Sequence, residues 1–382
     1  MQRVEYCGMQ MVKETVMVMQ RYIFSLLAAV LLSGIPFGNL AVHAARFIPA
    51  DTGVIQYFGR WDLTSAGEAR TGRGAVYLRV GFTGTSLRIR LKDTKNWWRY
   101  TIDGREYTKF KPRTEECLLA KDLLPGRHQL FLVRCTEGEF GISQFTGLVV
   151  DDGAELFTAG PASSRRIEVI GDSISAGAMN DGPAGLSYRT REDGSVSFAP
   201  ELARRLQAEW SVVAKSGEGI IHNYTEDVTK YHIHTQDTYE RTFYTRTQPV
   251  WKPVRFAPQV VLINMGANDF SDPMHRPAEK SFITGYKHLI RLVRVMNPEA
   301  VILGVEPVPM QIGPEAGQWV RKAIEAMRTA GDEKLYFIPI NINGPLLQPE
   351  DYVGDGMHPT VAGSKKIAAY LQGCIAEIMG WK

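Results

Sequence analysis

Cysteine is scarce in this sequence, with four in 382 residues, and that scarcity excludes a small disulfide-built fold. Cys7 falls in a leader segment described below. Cys117 and Cys135 could bridge across a hairpin in an oxidising compartment, or lie as two buried thiols on separate strands; both readings stay open. Cys374 reads as a helix-face core residue. No cysteine pair has zinc-site spacing, and no G-x-x-x-x-G-K loop is present to cradle phosphates. A dominant charge is lacking too. The 44 basic residues nearly balance 41 acidic ones, and no basic run is dense enough to track phosphates, which argues against a nucleic-acid partner. Lys287, Arg291 and Arg294 read instead as the solvated face of a helix. Repeats and low-complexity tracts are missing, and 44% hydrophobic with 22% charged residues excludes general disorder.

Long apolar runs are almost absent. The one exception, at 22–32, follows Arg21 and is cut by Gly34 and Pro36, short of the roughly 20 residues that a spanning helix needs. Small residues then stand at Val42 and Ala44. This order of positive, apolar and small-residue regions predicts a secretory signal peptide over 1–44, cleaved after Ala44. The mature chain is then expected in the medium or the periplasm, without membrane attachment. The stretch before Arg21 is long for such a leader, and Met17 or Met19 offers a later start. No cysteine follows the run to carry a bacterial lipid anchor.

What is present divides the mature chain in two. Over 45–160, short stretches such as 75–80, 86–91 and 128–134 alternate or cluster apolar residues between glycine-containing turns, which predicts a β-sandwich. Around Pro161-Ala162-Ser163-Ser164 the pattern changes. Over 161–382, apolar strands at 166–170, 210–214, 260–265, 301–305 and 335–339 alternate with helical periods at 199–208, 281–295, 315–330 and 361–379. That alternation predicts a five-stranded parallel sheet with helices on both faces. Working residues in such sheets collect at the carboxyl ends of the strands.

Three segments fall there. Gly171-Asp172-Ser173 ends the first strand, Gly266-Ala267-Asn268-Asp269 the third, and Asp355-Gly356-Met357-His358-Pro359 follows the fifth. Each has an ordinary alternative: Ser173 as a helix cap, Asn268 as a turn residue, Asp355 as a turn former, His358 as a helix-start residue. Their joint placement points to chemistry. A serine hydroxyl is a poor nucleophile until an imidazole takes its proton, and a carboxylate fixes the imidazole's tautomer. Ser173, His358 and Asp355 are thus the expected nucleophile, base and orienting acid, while Asp172 braces the turn.

Together with the loop Ser216-Gly217-Glu218-Gly219, these blocks resemble the SGNH (GDSL-like) hydrolase superfamily. The resemblance implies a three-layer α/β fold and a serine carboxylic ester hydrolase. It also implies an oxyanion hole from the Ser173 N–H, a loop-glycine N–H and the Asn268 amide. Gly219 is the preferred glycine, with Gly217 as the alternative. The sandwich ahead of this domain, with Cys135-Thr136-Glu137-Gly138 and Leu186-Ser187-Tyr188, resembles carbohydrate esterase family 2, whose leading domain is a jelly-roll-like sandwich. Some members of that family lack the triad acid; Asp355 suggests that it is kept here. The implied function is removal of acetyl groups from a hemicellulose such as xylan or glucomannan, without metal or cofactor. Other acyl esters, or a catalytically silent carbohydrate-binding protein, are the alternatives.

Aromatic side chains stack on sugar faces, so Tyr188 and Trp251 are expected to touch substrate, ahead of Trp97 and Trp98. The segment 222–252 is too long for a simple connection and is expected to wall the site. His232-Ile233-His234 puts two imidazoles on one strand face but offers no third ligand, so a loop or substrate-side role is expected over a metal.

Overall fold

The computed structural model describes residues 45–308, 312–342 and 344–381; the predicted signal segment, with Cys7, lies outside them. The first part is a sandwich of two antiparallel six-stranded sheets. One sheet carries Ser143–Asp151 at its centre, flanked by Leu87–Lys92, Ala69–Thr71 and Ala45–Pro49. The other centres on Tyr77–Thr83 and Arg127–Arg134. Strand Leu87–Lys92 shows why the sheets pair: Leu87, Ile89 and Leu91 are buried, whereas Arg88, Arg90 and Lys92 turn outward. Leu78, Val80, Phe82, Leu130, Leu132, Phe145 and Leu148 complete the interior.

This alternation breaks at the end of Arg127–Arg134, where Leu132, Val133 and Arg134 are all buried in succession. Two faces are covered there. Val133 leaves the sandwich interior and joins Phe58, Tyr77, Phe198 and Trp210 in a core shared with the second part of the chain. Tyr77 stacks on Trp210 with ring centroids 4.0 Å apart, and the Trp210 indole N–H donates to Ala75 O at 2.8 Å. The expected linker is likewise anchored, since Ser163 N–H donates to Glu209 Oε1 at 2.8 Å. The described chain from Ala45 onward packs as one unit.

Cys117 and Cys135 do not pair. Cys117 lies opposite Ile89 at the edge of one sheet, whereas buried Cys135 follows the Arg127–Arg134 strand of the other, so no hairpin joins them. Of the two readings, separate thiols hold.

The second part has five parallel strands in the order Glu209–Ala214, Arg166–Gly171, Val260–Asn264, Val301–Val305, Leu335–Ile338. Val260–Asn264 is apolar until its last residue and buried throughout, as a central strand covered on both faces must be. Val169, Val212 and Leu262 pack toward helices Phe198–Arg205 and Val361–Met379. Ile170, Val213 and Ile263 pack toward Glu279–Met296 and Glu315–Thr329. In Glu279–Met296 the buried Phe282, Tyr286, Leu289, Ile290 and Val293 recur every three or four residues, the period of a one-faced helix. The strand order reverses at Arg166–Gly171, whose two neighbours continue in opposite directions across the sheet. A crevice opens at the carboxyl ends there.

Candidate active site

Arg166–Gly171 delivers its last residues into a sharp turn. Gly171 has to be glycine, because a Cβ there would sit 1.9 Å from Ser175 Oγ. Asp172 then caps the four-residue helix Ser173–Ala176, accepting the Ile174 N–H at 3.0 Å. Gly177 closes it in the left-handed conformation, with φ of 79°. Strand, turn and helix together hold Ser173 at the crevice mouth. Asp172 is fully enclosed, and burial raises its carboxyl to about 7. It braces the elbow, as expected.

His358 reaches Ser173 from the loop before the last helix. Its Nε2 lies 2.9 Å from Ser173 Oγ and its Nδ1 lies 2.7 Å from Asp355 Oδ2. Asp355 Oδ1 accepts the backbone N–H groups of Met357 at 2.8 Å and His358 at 2.9 Å, so one short turn fixes both acid and imidazole. Partial burial opposes ionisation of Asp355, but these two N–H groups and the His358 ring outweigh it and hold the carboxyl below its usual range. The arrangement can withdraw a proton from Ser173 and keep the resulting imidazolium paired.

The loop at 215–219 is a tight turn in which Glu218 N–H donates to Lys215 O at 3.2 Å and Gly217 takes φ of 80° at the third position. Its N–H groups can be followed one by one. Ser216 N–H goes to Glu137 Oε2 at 2.6 Å, and Gly219 N–H goes to Asn223 Oδ1 at 3.0 Å. Among the described residues only Gly217 N–H in 216–219 has no protein partner, and Gly217 lines the cleft. The preferred glycine, Gly219, does not fit the role: its donor is taken by Asn223 and it is not among the residues that line the cleft. Asn268 spends one amide hydrogen on Glu218 O at 2.8 Å, leaving its second uncommitted. Asp269, its neighbour, accepts the N–H groups of Ile220, Ile221 and His222 and so ties the next loop to this strand end. Burial is the main influence on Asp269 and raises it to about 6 against those three donors.

The cleft holds about 640 Å³ and is lined by Ser173, Gly217, Asn268, Asp355 and His358 together with Ile174, Met179, Tyr188, Tyr224 and Met357. Tyr188 lines the cleft, its hydroxyl donating to Ser216 Oγ at 2.5 Å. Trp251 does not. It is buried away from the cleft, with the Arg60 guanidinium 5.6 Å from its ring centroid. Trp98 is core, its indole N–H donating to Asp93 Oδ2 at 3.0 Å, and Trp97 lies beneath Lys109. Segment 222–252 supplies only Tyr224 to the cleft lining. Beyond that it turns to the sandwich, where Arg73 donates to Thr238 O at 2.5 Å and Arg60 to Arg241 O at 3.0 Å. His232 and His234 lie in this loop rather than on a strand, beside Asp227 O and Glu226. Among the described residues no group of three or more His, Cys, Asp or Glu is placed to hold a metal. Sequence reading missed Met179, Tyr224 and Met357; the last was within reach, since it sits between the acid and the base of one motif.

Comparison with known proteins places these features. Residues 57–159 match the model of the carbohydrate esterase 2 N-terminal domain, and residues 169–366 match the GDSL-like lipase/acylhydrolase family. The cellulase/esterase CelE of Acetivibrio thermocellus is 30% identical over 86% of this chain, which spans 40% of that protein's length. An acetylxylan esterase / glucomannan deacetylase of Cellvibrio japonicus is 24% identical over 78% of this chain and 82% of its own. A family two carbohydrate esterase from Clostridium thermocellum, solved in complex with cellohexaose, superposes with a TM-score of 0.77 at 29% identity, covering 86% of this chain and 100% of that one. The hydrolase match takes in more than half the sequence, and the chain therefore belongs to the GDSL-like lipase/acylhydrolase family, carrying the N-terminal domain of family 2 carbohydrate esterases.

Proposed function

We propose that this protein is a secreted carbohydrate O-acetylesterase that deacetylates a hemicellulose such as xylan or glucomannan through Ser173, His358 and Asp355. One observation carries the reading: a Ser173–His358–Asp355 hydrogen-bonded chain opens into a cleft where the Gly217 N–H and one Asn268 amide hydrogen are free. Ser173 Oγ attacks the acetyl carbonyl carbon as its proton passes to His358 Nε2. Negative charge then forms on the carbonyl oxygen, where the N–H groups of Ser173 and Gly217 and the Asn268 amide meet it. On collapse the sugar hydroxyl leaves with the proton from His358. Water, deprotonated by the same imidazole, releases acetate from Ser173 in a second passage through the same site. Asp355 stays ionised and pairs the imidazolium each time.

The sugar assignment draws on the names of the relatives and on the carbohydrate esterase domain matched at 57–159. Secretion draws on the order of charged, apolar and small residues over 1–44. Acetate release from acetylated xylan, glucomannan, pectin and peptidoglycan, beside hydrolysis of acetyl and octanoyl aryl esters, tests the reading directly. Ser173→Ala should bring every rate to background while the melting temperature holds. Undiminished turnover removes the serine mechanism, and preference for the octanoyl ester removes the polysaccharide.

A further inference from the structure

The turn that follows Arg127–Arg134 in the sandwich does not end within the sandwich. Arg134 is fully buried and its guanidinium donates to Thr136 O at 3.0 Å, Glu137 O at 2.9 Å and Gly141 O at 3.0 Å, with Asn96 Oδ1 at 2.9 Å. Four carbonyl-type acceptors on one planar cation leave the turn little freedom. From this rigid base two side chains cross to the hydrolase domain. Glu137 Oε2 accepts the Ser216 N–H at 2.6 Å, and Glu139 Oε2 pairs with Lys215 Nζ at 2.9 Å. Both ends of the residue pair preceding Gly217 are thus gripped from the other domain. Glu137 is held in turn, its own N–H donating to Glu192 Oε1 at 2.6 Å. Burial raises its carboxyl above the usual range, against the opposing pull of Lys215 and the Ser216 N–H.

The Gly217 N–H belongs to the peptide between residues 216 and 217, so its direction follows the backbone angles of Ser216. Four contacts set those angles: Glu137 on the Ser216 N–H, Tyr188 on its hydroxyl at 2.5 Å, Lys215 Nζ on its carbonyl oxygen at 2.5 Å, and the turn closure from Glu218 N–H to Lys215 O at 3.2 Å. We infer that Glu137, a residue of the sandwich, is a positioning residue that aims the Gly217 N–H at the developing oxyanion, so that the sandwich completes the hydrolytic site. This rests on the ester-hydrolase reading above. It gives the N-terminal domain a part in the chemistry that binding carbohydrate alone would not require.

The test compares Glu137→Ala, Glu137→Gln and Glu137→Asp with the unaltered protein on an aryl acetate. Two readouts are taken, the kcat and KM split and the affinity for a boronic acid that becomes tetrahedral on Ser173. Losing an oxyanion donor outright costs about 10²–10³ in turnover, and a donor left in place but unaimed should cost less. Glu137→Ala should lower kcat by about tenfold to a hundredfold with KM little changed. Boronate affinity should fall in parallel, because only the tetrahedral species uses the hole. Glu137→Gln keeps an acceptor oxygen at the same reach and should recover most of the loss. Glu137→Asp keeps the charge but draws the oxygen back by one methylene and should resemble Ala, so the role stays testable where Ala does not fold. Wild-type kcat in Glu137→Asp, or a rise in KM with kcat intact, overturns the role while the hydrolase reading stands. An unaltered protein that cleaves no ester overturns both.

Discussion

A hydroxyl 2.9 Å from an imidazole is activated only in so far as that imidazole is held in the right tautomer, and at Ser173 the holding falls to Asp355. The carboxylate accepts two backbone N–H groups from its own turn as well as the ring, so it is fixed before substrate arrives. Asp355→Ala should therefore lower kcat by about 10²–10⁴, less than loss of the serine, with KM nearly unchanged. Steady-state kinetics on an aryl acetate decides it, and a full-rate variant would assign the orienting role to another group. At this scale much of the candidate site's placement was legible in the sequence. Ser173, Asn268, Asp355 and His358 lie in short turns whose local residues dictate where the side chains go. The choice between Gly217 and Gly219 was not legible, because it turns on where Asn223 sends its side-chain oxygen. Trp251 was misread for a related reason: a loop position predicts exposure, but Arg60 of the sandwich covers it.

Elements add a constraint that single residues do not show. The elbow after Arg166–Gly171 stands on the buried carboxyl of Asp172, which burial raises from an ordinary 3.8 to about 7. A carboxyl raised on folding is harmless while protonated in both states. Its cost grows as pH climbs from about 4 through about 7 and is then constant. Asp172→Asn keeps an oxygen for the Ile174 N–H and removes that cost. Its melting temperature should thus gain on the unaltered protein across that window and run parallel to it above, as calorimetry from pH 4 to 9 would measure; parallel curves throughout would mean that Asp172 is already ionised in the fold. The strands and helices themselves were readable to within about three residues, the helix expected at 199–208 ending at Arg205, because a parallel sheet writes itself as apolar runs and its helices as a 3.6-residue period. The segment from 215 to 252 has neither signal. Its path is set by Asp269, Glu137, Arg60 and Arg73, which lie far away in sequence and meet it only in the folded chain.

Across the whole molecule the same contacts join two architectures into one structure. Tyr77 and Val133 on the sandwich share a core with Trp210 and Phe198 of the hydrolase domain. Within that interface Arg60 faces Glu168 at 3.3 Å, both buried, and Glu168 also accepts Ser211 Oγ and Tyr239 hydroxyl hydrogens at 2.9 Å each. A buried pair of this kind earns its place less by adding stability than by being costly to break on one side only. Arg60→Met leaves the Glu168 carboxylate enclosed without its cation, a loss of about 3–5 kcal/mol. For a chain of this length that lowers the melting temperature by roughly 4–7 °C. Arg60→Met combined with Glu168→Leu should recover much of the deficit, since no charge then remains to be paired. Because the core is continuous across the interface, sandwich and hydrolase domain should melt in one calorimetric transition in all three proteins, with esterase activity lost over the same interval. Two resolved transitions, with activity following only the second, would mean that the sandwich can leave while the site stands, and that the grip of its turn on the loop before Gly217 is dispensable.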